Sequence, residues 1–205
     1  QAPKPYARIP FPDSYRIGDT YSMLVYDIKP DEFEYAFSFD GPYEPAKGLL
    51  FNEENVLLDP YSRAVTGQRK WGEKPEGGKD FEYRARVVKS SFDWGNIKQL
   101  EQPFEDLVIY ETHVRGYTKD KSSGVSAPGT FAGLKDKIPY LKDLGINAVE
   151  LMPIFEFDEM ESARVVDGVQ LYNYWGYNTV SFFAPNTSYA FNEEHNHEGD
   201  ELKSL

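Results

Sequence analysis

The spacing of apolar residues changes near residue 105, and this change constrains the fold more than any other feature of the sequence. Before it, short runs rich in aromatic and alternating residues are broken by turn formers, as is typical of antiparallel strands. After it, apolar residues recur at helical spacing between two short apolar runs. We therefore predict two parts: a β-rich part over residues 1–104 and an α/β part over residues 105–205.

Several segments of the first part have strand character. We predict strands over residues 21–28, 33–39 and 81–88, a turn at residues 40–42 and an exposed loop over residues 74–79. No stretch has the pattern of a helix of convincing length. Together these segments predict an antiparallel β-sandwich, or most of one.

The second part has the pattern of a βαβ unit. Residues 107–113 predict a first strand, and residues 146–152 form a nearly continuous apolar run, as expected of a buried parallel strand. Between them, residues 133–144 predict a helix that ends at Gly145. Its apolar stripe consists of Leu134, Ile138, Leu141 and Leu144.

The last residues predict the start of another helix. Asp200 is a suitable N-cap for a helix that contains Leu202 and Leu205. One βαβ unit and one further helix leave a parallel sheet uncovered, whereas such sheets are normally buried on both faces. We therefore expect this part to belong to a larger α/β domain.

Charge and composition exclude several classes of function. The chain has 34 acidic and 22 basic residues, and its net charge of −12 argues against a nucleic-acid partner. It has no cysteine, which excludes disulfides, thiolate nucleophiles and Cys-based zinc sites and fits a reducing compartment, so we expect a cytoplasmic location. No apolar run approaches the roughly 18–20 residues that span a bilayer, so no membrane partner is expected, and the Pro-rich residues 1–12 lack the apolar core of a signal peptide.

Aromatic residues are unusually frequent. The 205 residues include 15 Tyr, 14 Phe and 3 Trp. Such side chains fill β-rich cores, and their flat apolar faces also suit contact with sugars.

Three stretches together resemble the glycoside hydrolase family that contains α-amylases, pullulanases, branching enzymes and isoamylases. Residues 108–118 are similar to the first barrel strand of the debranching members, and residues 145–153 to the second-strand motif. Residues 172–179, followed by residues 182–185, most resemble isoamylases and glycogen-debranching enzymes. Upstream, residues 37–43, 57–61 and 92–94 look like parts of the β-sandwich module that precedes the barrel. The resemblance covers about residues 15–205.

This resemblance implies a fold and an activity. The fold would be a carbohydrate-binding-module-like β-sandwich followed by the first part of a (β/α)₈ barrel, with the chain truncated at both ends. The parent protein would cleave α-1,6 branch points of glycogen or starch-type glucans by a retaining mechanism. No cofactor is implied, and no residue here matches a calcium motif of the relatives that bind calcium.

The resemblance also implies substrate-binding residues. Tyr177 would stack on the sugar ring at the cleavage subsite, beside Asn173 of the same run. Trp175 stands where related α-amylases often carry a histidine that contacts this sugar. Gly176 would allow a tight turn between the two rings. The alternative for these aromatic residues is a loop packed into the barrel.

Ligands of a (β/α)₈ barrel bind at the C-terminal ends of its strands. His113 ends the first predicted strand, so it is a candidate substrate-binding residue, the alternative being a structural histidine hydrogen-bonded at a strand end. Glu150 lies inside the second apolar run. A lone buried carboxylate is costly, so we expect Glu150 to form a structural hydrogen bond.

Other polar clusters are expected to have no catalytic or metal-binding role. The acidic residues of the loop after the second strand are expected to face solvent: Glu156, Asp158, Glu159 and Glu161. The histidines of the last segment, His195 and His197, lie near Glu193, Glu194 and Glu198 without zinc-type spacing. The glycosylation sequon that begins at Asn186 matters only for a secreted chain.

Two alternatives remain open. A non-catalytic α-glucan-binding module could bind sugar through an exposed Trp71 or Trp94, although such a module does not need the α/β part. Within the enzymes, a pullulanase or branching enzyme is the other alternative.

We predict that the purified 205-residue chain does not hydrolyse α-1,6-glucosidic bonds. Retaining hydrolysis needs two carboxyl groups about 5–5.5 Å apart. The family takes its nucleophile Asp, acid/base Glu and stabilising Asp from barrel strands four, five and seven, which would lie beyond Leu205. Release of reducing ends from a branched dextrin is the measurement, with the whole natural gene product as positive control. Hydrolysis by the pure chain would contradict the prediction.

Overall fold

A computed structural model describes residues 5–73, 83–89, 91–194 and 196–205. Its strands are β1 (Arg16–Ile17), β2 (Thr20–Tyr21), β3 (Glu34–Tyr35), β4 (Phe37–Glu44), β5 (Leu49–Leu57), β6 (Ala85–Arg86), β7 (Ile109–Thr112), β8 (Ala148–Leu151), β9 (Phe155–Phe157), β10 (Arg164–Val166), β11 (Val169–Leu171) and β12 (Thr179–Pro185). Its α-helices are α1 (Val114–Thr118), α2 (Phe131–Lys135), α3 (Ile138–Asp143) and α4 (His197–Ser204).

The first part contains strand pairs rather than one continuous sheet. β1 pairs with β2, β3 with β6 and β4 with β5, all antiparallel. Before residue 105 the described residues include only three-residue 3₁₀ turns, which agrees with the predicted lack of helices. Because each observed sheet has two strands, the predicted sandwich is not confirmed.

Some boundaries in this part differ from the prediction. The strand expected over residues 21–28 ends at Tyr21. The turn expected at residues 40–42 lies inside β4, where the register shifts between Phe39 and Tyr43 and so accommodates Pro42. The chain instead turns at Pro45–Lys47, because Pro45 favours the first position of a turn and Gly48 accepts a φ of 76°. Of residues 81–88 only Ala85–Arg86 is a strand; residues 74–79 and 81–82 lie outside the described residues.

The βαβ unit of the second part is confirmed, with a different helix. β7 and β8 are parallel, and their register pairs Ile109 with Ala148 and Thr112 with Leu151. The connection contains α2 and α3 rather than one helix over residues 133–144. Pro139 explains the break: it has no N–H for an interior helical bond and is tolerated in the first turn of α3.

The parallel pair is less buried than predicted. The exposed fraction is 52% for Ile109 and 42% for Val149, because no third strand pairs with β7 or β8 in the described part of the chain. Glu150 is exposed, so its predicted structural hydrogen bond is not needed.

A hydrophobic core cluster consists of residues of the second part, and one residue of the first part packs against it. Its fully buried members are Val114, Phe131, Leu134, Phe157 and Tyr189. Trp71 packs against this cluster, as do Leu202 and Leu205. Helix α4 begins at His197, after Asn196 in a left-handed conformation, so Asp200 lies in its first turn and is not the predicted N-cap.

Polar contacts also join the two parts. Arg86 Nη2 lies 2.9 Å from Glu198 Oε1, and both side chains are 5% exposed. Arg69 Nη1 donates to the Glu193 carbonyl at 2.9 Å. None of the described helices is long and apolar enough to cross a membrane.

We predict opposite effects of alanine at two helical glycines. A Cβ at Gly133 in α2 would collide with the Ala127 carbonyl, so Gly133→Ala should lower the free energy of unfolding by roughly 1–3 kcal/mol. A Cβ at Gly199 in α4 meets nothing within 4 Å, so Gly199→Ala should raise it by about 0.5–1 kcal/mol. Urea denaturation measures both variants. Equal effects of the two changes would contradict the observed packing of α2.

Candidate functional site

The loop between β11 and β12 presents two large aromatic side chains to solvent. The exposed fraction is 52% for Trp175 and 70% for Tyr177. Gly176 between them has a φ of 77°, and a Cβ there would lie 2.6 Å from the Phe157 ring. Only glycine fits this position, so the backbone packs onto the core while the flanking rings point outward.

The side chain of His113 contacts the backbone of this loop. It follows β7 directly, and its Nδ1 accepts a hydrogen bond from the Gly116 N–H at 3.0 Å. Nε2 therefore carries the proton and donates to the Tyr174 carbonyl at 2.8 Å. Burial lowers the pKa of His113, which favours this neutral form. The rings of His113 and Tyr174 also stack, with centroids 4.2 Å apart.

The four predicted binding residues thus lie together, in two different settings. Trp175 packs edge-on against Tyr174 and His113 while remaining exposed. Asn173 is half-buried, and its backbone N–H and Nδ2 donate to the carbonyls of Glu159 and Asp158. Trp175 and Tyr177 are therefore available to a ligand, whereas His113 and Asn173 support the loop. A direct sugar contact of any of the four stays a prediction.

The acidic cluster is mostly buried, so the prediction that it faces solvent was wrong for Glu156 and Glu159. Glu156 and Glu159 are fully buried, Asp158 is half-buried and only Glu161 is exposed. The Thr187 N–H donates to Glu156 Oε2 at 2.9 Å, and Ser188 Oγ donates to Glu159 Oε1 at 2.5 Å. Pairing of β9 with β12 brings these partners in from some 30 residues away, so no local signal in the sequence could have indicated the burial.

Burial changes the protonation of both carboxyl groups. Desolvation raises the pKa of Glu156 to about 8, and the nearby charge of Glu159 acts in the same direction. Desolvation likewise raises the pKa of Glu159 to about 7, although the hydrogen bond from Ser188 opposes it. A protonated Glu156 is the form that this environment favours near neutral pH.

The remaining polar candidates have structural partners. Asn186 of the sequon is fully buried, and its Oδ1 accepts from the Ser188 N–H at 2.9 Å, so the folded chain cannot present it for glycosylation. His197 Nε2 lies 3.0 Å from Glu194 Oε2, whereas His195 lies outside the described residues. Among the residues that the structure describes, no group of three or more acidic or His side chains could hold a metal ion.

Trp71 and Trp94, the two tryptophans before residue 105, have different environments. Trp94 is 54% exposed and packs edge-on against Phe92. Trp71 is half-buried, packs against Tyr174 below the loop, and carries the Arg115 guanidinium 4.3 Å from its ring centroid. The sequence had indicated Trp71 only as an exposed sugar-binding residue, and its buried contacts arise from the long-range fold.

The chain is similar in sequence to debranching enzymes. It is 39% identical over 194 residues to chloroplastic isoamylase 1 of Arabidopsis thaliana, covering 92% of this chain and 24% of that protein. It is 36% identical over 202 residues to the glycogen debranching enzyme of Yersinia enterocolitica, covering 91% of this chain and 29% of the relative. The chain thus spans about a quarter of the length of these relatives. No family model matches it.

Solved structures with a similar fold include pullulanases. The pullulanase of Anoxybacillus sp. LM18-11 complexed with maltotriose is 30% identical, with a TM-score of 0.53 over 72% of this chain and 21% of that one. Pullulanase type I of Bacillus subtilis complexed with maltose is 28% identical, with a TM-score of 0.51 over 75% of this chain and 21% of that one. The described residues thus form a mixed strand and helix fragment, and about three quarters of the chain is similar in fold to part of those enzymes.

We predict that the chain becomes less stable as pH rises from about 5 to about 8. A glutamate has an ordinary pKa of 4.5, whereas that of folded Glu156 is about 8. Between these values the unfolded chain has released the proton that the folded chain keeps, so rising pH favours unfolding.

Thermal unfolding at several pH values tests this prediction. Glu156→Gln should raise the melting temperature at pH 8 by roughly 5 °C and flatten its pH dependence. The exposed Glu105 provides the matched control, since Glu105→Gln should leave the profile unchanged. A profile of the unmodified chain that is flat between pH 5 and pH 8 would contradict the protonated, buried state of Glu156.

Proposed function

We propose that this chain, which is homologous to isoamylases and glycogen debranching enzymes over most of its length, is the front part of a glycoside hydrolase that cleaves α-1,6 branch points. In this proposal residues 1–104 belong to a β-sandwich module and residues 105–205 begin a (β/α)₈ barrel. The two carboxyl groups that carry out the retaining mechanism belong to later strands of the parent protein. The chain itself contributes substrate contacts.

The observation that carries the proposal is the position of the aromatic loop. His113 directly follows the parallel strand β7 and stacks on Tyr174, so the loop lies at the carboxyl end of that strand. Active sites of (β/α)₈ barrels lie at this end of the strands. Trp175 and Tyr177 are therefore exposed on the side where a barrel of this type binds its substrate.

The chemistry of the loop suits a neutral glucan. The flat faces of Trp175 and Tyr177 can pack against the apolar C–H faces of glucose units, while the indole N–H and phenol O–H remain available for hydrogen bonds. The net charge of −12 does not oppose an uncharged polymer, whereas it would repel a polyanion. The names of the relatives and the maltose and maltotriose in the pullulanase complexes support an α-glucan substrate such as glycogen, amylopectin or a limit dextrin.

A cytoplasmic location is part of the proposal, because a cysteine-free chain suits a reducing compartment. The plant relatives carry the word chloroplastic in their names, so the location of this chain depends on its own cellular context.

The second candidate is a non-catalytic α-glucan-binding module. One observation favours it: Trp94 in the first part is 54% exposed and could bind sugar without help from the loop. The intact mass of the natural gene product separates the two candidates. A mass several-fold above 23.5 kDa supports the hydrolase, and a mass near 23.5 kDa makes the binding module the leading function.

We predict that Trp175→Ala and Tyr177→Ala each weaken binding of a linear maltooligosaccharide to the natural gene product by about tenfold, through loss of ring stacking. Isothermal titration calorimetry measures the dissociation constants. Tyr26 is 76% exposed and lies far along the sequence from the loop, so Tyr26→Ala is the control and should bind normally. Unchanged affinity in both loop variants, with a loss in Trp94→Ala, would instead support the binding module.

A further inference from the structure

We propose that Trp71 is a positioning residue, which holds the loop of residues 172–177 in the geometry that presents Trp175 and Tyr177 to a glucan. The inference rests on the proposed function of that loop. It assigns a role in substrate binding to a residue of the first part of the chain, outside the motifs that resemble the barrel.

The ring of Trp71 touches the supports of the loop directly. It packs edge-on against Tyr174, with centroids 6.0 Å apart, and edge-on against Phe157 at 5.9 Å. Phe157 is the ring on which Gly176 rests, and Tyr174 is the residue whose carbonyl His113 holds. Trp71 therefore contacts the loop at one point and the support of Gly176 at another.

Trp71 is itself held in place. It lies parallel to the buried ring of Tyr189, with centroids 6.1 Å apart, and the Arg115 guanidinium lies over its ring. Contacts of this kind stabilise a ring beyond the burial of its apolar surface. A half-buried ring with these neighbours is suited to support other residues rather than to stack on a sugar.

The sequence neighbours of Trp71 also contact the same loop or the residues that support it. Gly72 has a φ of 74°, and a Cβ there would lie 2.8 Å from Tyr172 Cζ. Gln68 is buried; its Nε2 donates to Asp158 Oδ1, and its Oε1 accepts from the Glu159 N–H. The carbonyls of these two acidic residues in turn accept from Asn173 of the loop. Residues 68–72 thus contact the loop directly at Tyr172 and Tyr174, and they reach Asn173 through Asp158 and Glu159.

Removal of the Trp71 ring would leave a cavity below Tyr174 and Phe157. The loop would then relax toward the core, and Trp175 and Tyr177 would move from the positions that suit a sugar ring. A shift of about 1 Å at a substrate-positioning group can reduce catalytic efficiency by up to about a hundredfold. Because Trp71 would act only through the loop, its effect should disappear when the two exposed rings are absent.

A double-mutant cycle in the whole natural gene product tests this dependence. Trp71→Ala should lower kcat/KM on a branched α-glucan by about tenfold in the natural background. In a Trp175→Ala/Tyr177→Ala background the same change should lower it by less than about twofold. Trp71→Phe, which keeps an aromatic ring, should retain most of the activity. Phe104 is 84% exposed, and Phe104→Ala is the control that should leave kcat/KM unchanged.

A second measurement separates a local shift from misfolding. After incorporation of 5-fluorotryptophan, the ¹⁹F resonances of Trp71, Trp94 and Trp175 are assigned by single Trp→Phe variants. In Trp71→Ala the Trp175 resonance should shift while that of Trp94 stays in place. Movement of both resonances, or of neither, would overturn the positioning role.

The failures of the two proposals are distinguishable. An equal loss from Trp71→Ala in both backgrounds would overturn the positioning role and leave the proposed function standing. Unchanged kcat/KM in Trp175→Ala/Tyr177→Ala would instead refute the sugar-binding role of the loop, and with it the inference about Trp71.

Discussion

Two carboxyl groups without access to water, those of Glu156 and Glu159, require hydrogen-bond donors from several directions. Two segments that are distant in sequence supply three donors: the Thr187 N–H and Ser188 Oγ of one segment, and the Gly72 N–H of the other. The contact is so close that a Cβ at Gly67 would collide with Glu156 Oε2 and Thr187 Oγ1. The same segments carry the residues that support the aromatic loop, so the loop geometry depends on this buried cluster.

This arrangement couples the first part of the chain to the second. Trp71 packs against the core of the second part, and Arg86 forms a buried ion pair with Glu198 of α4. Replacing one partner of such a pair leaves an uncompensated buried charge, which destabilises a fold strongly. Residues of the first part are therefore structural components of the α/β part. The boundary predicted at residue 104 reflects the change in apolar spacing along the sequence, whereas these contacts cross that boundary.

The candidate site separates exposed aromatic side chains from aromatic side chains that support them. Tyr174 and His113 stack on one another, and the His113 tautomer is set by the Gly116 N–H. These contacts occupy both ring nitrogens of His113, the Tyr174 carbonyl and one face of each ring, whereas Trp175 and Tyr177 are more exposed, on either side of Gly176. A rigid base below two exposed rings limits the conformational entropy that is lost when a sugar binds.

The sequence by itself determined the βαβ order of the second part and the position of the aromatic loop. The change of period near residue 105 indicated a βαβ unit, and the aromatic run indicated the loop, because both depend on local spacing. Only the tertiary structure decided that Glu156 and Glu159 are buried, that Trp71 supports the loop and that His113 binds its backbone. Pro139 could have indicated the break between α2 and α3. The burial of the two glutamates and the contacts of Trp71 and His113 arise instead between residues some 30 to 100 positions apart, and no local pattern encodes such contacts.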